Sequence, residues 1–150
     1  MNARDLILPQ SRDSLERLEI LDTQPEASFD ELVRRAAEVF DTTMAAISFF
    51  DVPDQPSLPW REWFKARLGL PPQSLSRAES FFLPMTDSRY PLARTFVIGD
   101  ALADKRFRDH PLVSGDPHIC FYAGAAILSP QRELIGVLAV FDVMSRDVTA

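Results

Sequence analysis

Three runs of β-compatible residues constrain this chain most, because none of them alternates in polarity: Met44 to Asp51, Cys120 to Leu128 and Leu134 to Val143. Successive side chains of a strand point to opposite faces, so in the first run Ile47 and Phe49 face one way and Ala46 and Phe50 the other. A strand that is apolar on both faces must be covered on both faces, which puts it near the centre of a sheet. Ser129-Pro130-Gln131-Arg132-Glu133 joins the second and third runs and predicts an antiparallel hairpin. Gly124 and Gly136 lie inside those strands, where a side chain would obstruct close backbone approach.

Helical spacing appears before the strands. Leu15, Leu18 and Leu21 predict a short helix from Ser14 to Leu21, ended by Asp22-Thr23-Gln24-Pro25. Phe29, Leu32, Val33, Ala36, Ala37 and Phe40 mark one face of a longer helix, with Arg34, Arg35 and Glu38 on the other. Ser28 and Glu31 have capping-box spacing at its start. Pro53, Pro56 and Pro59 make residues 51–60 a loop. Further strands are expected at Arg61 to Leu70, with Trp63 and Phe64 beside Lys65, and at Thr95 to Asp100, with a short helix at Arg77 to Phe82. Residues 103–118 read as a structured loop with one helical turn at Asp104 to Phe107, anchored by Phe107, Leu112 and Val113. Helices first and mostly antiparallel strands after them argue for an α+β fold.

A chain of 150 residues suits one domain. Its net charge of −6 works against nonspecific binding to nucleic acid or anionic membranes. The lone Cys120 excludes an intrachain disulfide and a cysteine zinc cluster, and fits a cytosolic setting. No apolar run approaches the roughly 20 residues of a spanning helix, and residues 1–10 do not have the pattern of a secretory signal. A soluble cytoplasmic domain without direct membrane insertion is expected. Eleven phenylalanines imply an aromatic-rich interior.

Several strings resemble a bacterial subgroup of the GAF family: Leu18-Glu19-Ile20-Leu21-Asp22-Thr23-Gln24-Pro25-Glu26 with Phe29-Asp30, Trp63-Phe64-Lys65-Ala66, and Arg77-Ala78-Glu79-Ser80-Phe81. Asp100-Ala101, Asp104-Lys105-Arg106-Phe107, His110-Pro111-Leu112-Val113, Phe121-Tyr122-Ala123-Gly124-Ala125 and Ile135-Gly136-Val137-Leu138 follow. The strength of the match lies in their joint order and spacing. The resemblance implies one GAF domain at 14–146, a lead at 1–13 and a tail at 147–150. It implies a central antiparallel sheet of five or six strands, helices on one face, and a loop-capped pocket on the other. It also implies a homodimer, and a role ahead of an output module such as a histidine kinase or GGDEF-type diguanylate cyclase, as an excised domain or a stand-alone protein. The chain departs from the subgroup at Phe82, where cysteine is frequent, at Ala126, where proline is, at Cys120, where arginine is, and in the longer loop at 51–60.

Mapped onto the family, Ser80 to Phe82 and Asp104 to Val113 would form the lid of the pocket and Phe121 to Ala123 its floor. The expected ligand-binding residues are Phe64, Ser80, Phe81, Phe82, Asp100, Arg106, Phe107, His110, Phe121, Tyr122 and Ala123. Pockets for small molecules are mostly apolar with a few polar groups; for any one of these aromatics core packing is the favoured reading, while as a group they are expected to border the cavity. Arg106 can pair with a ligand carboxylate or phosphate, or form a surface salt bridge with Asp104 or Asp109, the favoured reading for an isolated arginine. His110 and His118 match no compact metal motif, so loop capping is the better reading. Cys120 is expected as a buried strand residue: methionine-sulfoxide-reducing relatives use several cysteines, and no bilin-attachment string surrounds it. Neither haem, bilin nor metal is expected. No Gly-x-Ser-x-Gly elbow, phosphate loop or acid–base pair is present, which argues against an enzyme. The alternative is a dimerisation module whose pocket is filled by Phe82 and its neighbours.

Overall fold

The computed structural model describes residues 16–52, 61–70, 74–76, 79–81 and 95–147. In chain order they form α1 (Ala27–Phe40), β1 (Met44–Asp51), β2 (Arg61–Leu68), β3 (Ser74–Ser76), β4 (Thr95–Ile98), α2 (Pro111–Ser114), β5 (Phe121–Leu128) and β6 (Leu134–Asp142). The strands make one six-stranded sheet in the order β3-β2-β1-β6-β5-β4, and every neighbouring pair is antiparallel.

β1 and β6 occupy the centre, as their two-sided apolar character requires. On one face Val33 and Ala37 of α1 pack over Ala45, Ile47, Phe49, Ala66, Ile135 and Val140. On the other, Ala46, Phe50, Phe64, Tyr122, Val137 and Phe141 pack under the chain segments that carry Phe81, Phe107 and Leu112. The hairpin of β5 and β6 forms as expected, through Ser129 to Glu133. A Cβ at Gly136 would lie 2.2 Å from the Ser48 carbonyl oxygen, so the close approach of β1 and β6 requires glycine there. The missing side chain of Gly124 leaves room for the Tyr122 hydroxyl, 2.5 Å from where a Cβ would stand.

Several local expectations are corrected. The capping box at Ser28 and Glu31 does not form. The helix starts two residues earlier, with Glu26 rather than Ser28 at the N-cap and no side-chain cap bond. Glu31 instead pairs with Arg34 and Arg35 within the helix. Only Val33 and Ala37 of the apolar face are fully buried; Leu32 and Phe40 remain half exposed. Strand β3 went unpredicted, since three residues are too few to show a pattern. Residues 79–81, the described part of the expected short helix, contain no α-helix. Asp104 to Arg108 forms a turn, with the Phe107 and Arg108 amides donating to the Asp104 carbonyl. The α-helical turn falls later, at Pro111–Ser114, where Pro at N1 and His110 at the N-cap favour it. Phe82 lies outside the described residues.

β2 carries an irregularity with consequences. Ser48 pairs with Phe64, yet Ile47 pairs with Ala66, so Lys65 is an extra residue in the ladder. Such a bulge re-aims side chains. Here Lys65 points to the helix face and is fully buried. Its ammonium donates to Thr23 Oγ1 at 2.6 Å and to the Gln24 carbonyl at 2.7 Å, pairs with Glu26 at 2.6 Å, and lies 5.5 Å from the Phe29 ring centroid. Arg61 similarly holds Asp22 and Asp51. The strings Asp22 to Glu26 and Trp63 to Ala66 are therefore two halves of one clamp that fastens the chain before α1 to the sheet.

Candidate functional site

The face of the sheet opposite α1 is built around Phe81. Its ring stacks on His110 with centroids 4.1 Å apart and on Tyr122 at 5.1 Å. Phe107 stacks at 5.8 Å and Phe141 meets it edge-on at 6.0 Å. Phe81, Phe107, Tyr122 and Phe141 are all buried. Stacked and edge-on aromatic pairs contribute about 0.5–1.5 kcal/mol beyond the area they bury, so the Phe81 ring is firmly seated.

Polar groups sit inside this apolar layer. Glu62 of β2 pairs across the sheet with Phe50 and Leu75 and is buried with them. Ser48 Oγ donates to Glu62 Oε2 and Ser80 Oγ to Oε1, both at 2.8 Å. Burial pushes the Glu62 carboxyl above its ordinary range, and the two serine hydrogen bonds oppose that only in part. Burial, with the nearby Glu62 charge, raises the Tyr122 phenol well above its usual value.

His110 is fixed by its place at the start of α2. Its Nδ1 accepts from the Leu112 amide at 3.0 Å, which leaves the proton of the neutral ring on Nε2. That Nε2 is buried and makes no hydrogen bond of good geometry among the described residues, although the backbone of Glu79 and Ser80 offers it acceptors. Burial holds the imidazole below its normal pKa, while hydrogen bonding to the Glu79 and Ser80 backbone and the Glu79 charge act the other way.

The expected site residues divide. Phe64, Ser80, Phe81, Phe107, His110 and Tyr122 come together on this face. Phe121 and Ala123 do not: strand alternation turns them to the helix face, where Arg146 lies over the Phe121 ring at 5.4 Å. Asp100 is an exposed turn residue that accepts from the Leu102 and Ala103 amides. Arg106 pairs with Asp104 at 2.7 Å and lies against the rings of Phe96 and Phe107. The Cys120 thiol is buried and contacts Asp100 at 3.3 Å; burial and that carboxylate raise its pKa, so it stays a thiol. Glu62 and Ser48 escaped the sequence reading. The only signal for Glu62 is a charged residue two positions before Phe64 on the same inward face.

Two grooves lie elsewhere. One of about 660 Å³ separates Asp22 to Pro25 from Trp63 to Arg67, beside the Lys65 clamp. The other, about 200 Å³ and almost wholly apolar, runs between α1 and the outer strands, lined by Ala36, Phe40, Val97, Ala123 and Leu138. Among the described residues no group of His, Cys, Asp and Glu could hold a metal ion, and no helix is long and apolar enough to cross a membrane.

Comparison with known proteins agrees with this architecture. A cyclic di-GMP phosphodiesterase of Pseudomonas aeruginosa is 33% identical over 128 residues, which are 85% of this chain and 20% of that protein. The chain thus spans about a fifth of its length. The GAF domain of a phosphoenolpyruvate-protein phosphotransferase from Coxiella burnetii superposes with a TM-score of 0.58 at 17% identity, over 95% of this chain and 81% of that one. The corresponding Acinetobacter domain gives 0.56 at 20% identity, over 93% and 81%. At such identities these two show the fold alone. The model of the GAF domain matches residues 24–149, from inside the Lys65 clamp through all six strands, and the chain accordingly belongs to the GAF domain family.

Proposed function

We propose that this chain is a regulatory sensory module rather than an enzyme, and that it binds a small cytoplasmic molecule on the Phe81 face to bias an attached output module. One observation carries this reading: a buried carboxyl, Glu62, and a buried imidazole, His110, sit inside an otherwise apolar aromatic layer. Sites for small molecules combine apolar walls with a few placed polar groups of this kind. The ligand would act by population shift, through tighter binding to one state than to the other. A connection to output is available at β6. After that strand Arg146 pairs with Asp142 and donates to the Asp41 carbonyl at 2.6 Å and to that of Phe40, while its amide donates to Gly99 at the end of β4. The kinship with the Pseudomonas phosphodiesterase supports an output concerned with cyclic di-GMP, and a GGDEF-type or histidine kinase output is equally compatible. Thermal-shift screening of a metabolite library tests the reading. It requires at least one stabilising compound whose effect is lost when Phe81 or Glu62 is replaced; a library without one contradicts it.

A second reading, a dimerisation module with a filled pocket, is favoured by the Phe81 ring occupying the middle of the aromatic layer. The apolar groove beside α1, and Val39 and Phe40 exposed at 80% and 44%, supply a surface for a second copy. Light scattering across a concentration series tests it, and a monomer at millimolar concentration removes it.

A further inference from the structure

The groove of about 660 Å³ lies beside β2, away from the Phe81 face. Its lining includes five consecutive residues of that strand, Trp63 to Arg67. Side chains of a strand alternate between its faces, so a groove confined to one face could not touch all five. Trp63 and Ala66 pair with Phe49 and Ile47 on the helix face, whereas Phe64 is buried under the opposite face. Phe64 therefore borders the groove through its main chain, and the groove follows the edge of the strand.

That edge is paired along part of its length. β3 covers Arg61, Glu62 and Trp63; from Phe64 to Leu68 the one flanking strand among the described residues is β1. The sequence explains why β3 stops where it does. Running antiparallel to β2, it would have to extend back through Gln73 into Pro72 and Pro71, which have no N–H to give to a ladder. Main-chain donors and acceptors along such an edge are a template for a further strand.

The surroundings select which strand fits. The bulge at Lys65 twists the edge, which disfavours a long flat strand such as the same edge of a second copy and favours a short peptide. The facing wall, formed by the segment before α1 and by its first turn, is acidic. Asp22 shares Arg61 with Asp51, and the Lys65 ammonium is taken up by Thr23, Gln24 and Glu26. Asp30 is exposed on the groove and pairs with no cation among the described residues. Arg67 pairs with Ala46 and so belongs to the opposite face. The half-buried Trp63 ring on the groove suits a cation or its alkyl stem.

We propose that the stretch Phe64 to Leu68 is a docking edge for an extended, basic peptide segment of a partner protein. The segment adds to β2 as a short strand beside its main chain. Alternate lysine or arginine side chains cross the groove to Asp22 and Asp30. Main-chain bonds supply the affinity and the acidic wall the specificity. The Phe81 face takes no part, so this docking edge stands or falls apart from the sensory reading.

Fluorescence anisotropy of the whole chain with a labelled pentapeptide of alternating lysine and valine tests this, with the matching glutamate–valine peptide as control. The lysine peptide is expected to saturate below about 1 mM, and the glutamate peptide to bind about tenfold more weakly or worse. Asp30→Asn, on the exposed side of α1, should weaken the lysine peptide about twofold to fivefold, the scale of one exposed ion pair. N-methylation separates strand addition from charge attraction. Methyl groups on one alternate set of peptide amides, lysine or valine, should abolish binding and those on the other set should leave it unchanged, because successive amides point to opposite sides of a strand. Hydrogen exchange followed by NMR should show alternate amides of Phe64 to Leu68 open in the unbound chain and protected by the peptide. No binding of the lysine peptide, equal binding of the glutamate peptide, equal effects of the two methylated sets, or amides already protected in the unbound chain overturns the proposal.

Discussion

Phe81 and His110 lie ring against ring, 4.1 Å between centroids and 21° from parallel, and Tyr122 closes the other side of Phe81 at 5.1 Å. Removing the central ring leaves a ring-sized void walled by aromatics. Phe81→Ala should therefore lose about 3–5 kcal/mol of stability, measured by urea unfolding. Apolar cavities of this kind take up small aromatic molecules, so millimolar indole should raise the melting temperature of Phe81→Ala and leave the wild type unchanged.

Glu62 gives a pH signature. Its folded pKa is raised by burial, so the native state holds the proton more tightly than the unfolded chain does. The sign follows from linkage: its contribution is complete below the unfolded carboxylate range and declines as pH rises toward the folded pKa. Glu62→Gln should match the wild type near pH 4 and become progressively more stable than it as pH rises. Denaturant midpoints of the two proteins between pH 4 and 8 check this, and parallel curves refute it.

Lys65→Met should release the segment before α1. The substitution removes the partner of Thr23, Gln24 and Glu26 at once. Because Glu26 is 57% exposed, water replaces part of the loss, and the expected cost is about 1–3 kcal/mol. Limited proteolysis should cut residues 20–26 faster in the variant, while the aromatic face keeps its near-ultraviolet circular dichroism.

Gly136→Ala should be more damaging than its size suggests. The added Cβ would stand 2.2 Å from a backbone oxygen of the neighbouring central strand, and backbone in a sheet cannot step aside. A loss of about 3 kcal/mol or more is expected, whereas Ala139→Gly in the same strand should cost far less. Thermal unfolding of both compares them.

The centre of the sheet was legible because burial on both faces leaves an unbroken apolar run, as in β1 and β6. Their bounds follow the sequence closely, at Met44–Asp51 and Leu134–Asp142. The start of α1 was not legible: Glu31 has the spacing of a cap and spends its charge on Arg34 and Arg35 instead. Glu62 was hidden by its charge: it alternates regularly with Phe64 ahead of the bulge at Lys65, but a carboxylate reads as a solvent-facing residue. Phe121 and Ala123 were grouped with Tyr122 as one motif, although strand parity separates them. Arg106 and His110 entered as ligand contacts. One is an exposed partner of Asp104, and the other caps α2 from a buried position against Phe81.

The most direct test of the sensory reading is a nitrogen-15 NMR titration of the whole chain with the stabilising compounds from the metabolite screen. The account predicts amide shifts that saturate with concentration and cluster at Glu62, Ser80, Phe81, His110 and Tyr122, with a weaker response at Arg146. Saturable shifts confined to the helix face, or no saturable shift with any compound, would contradict it.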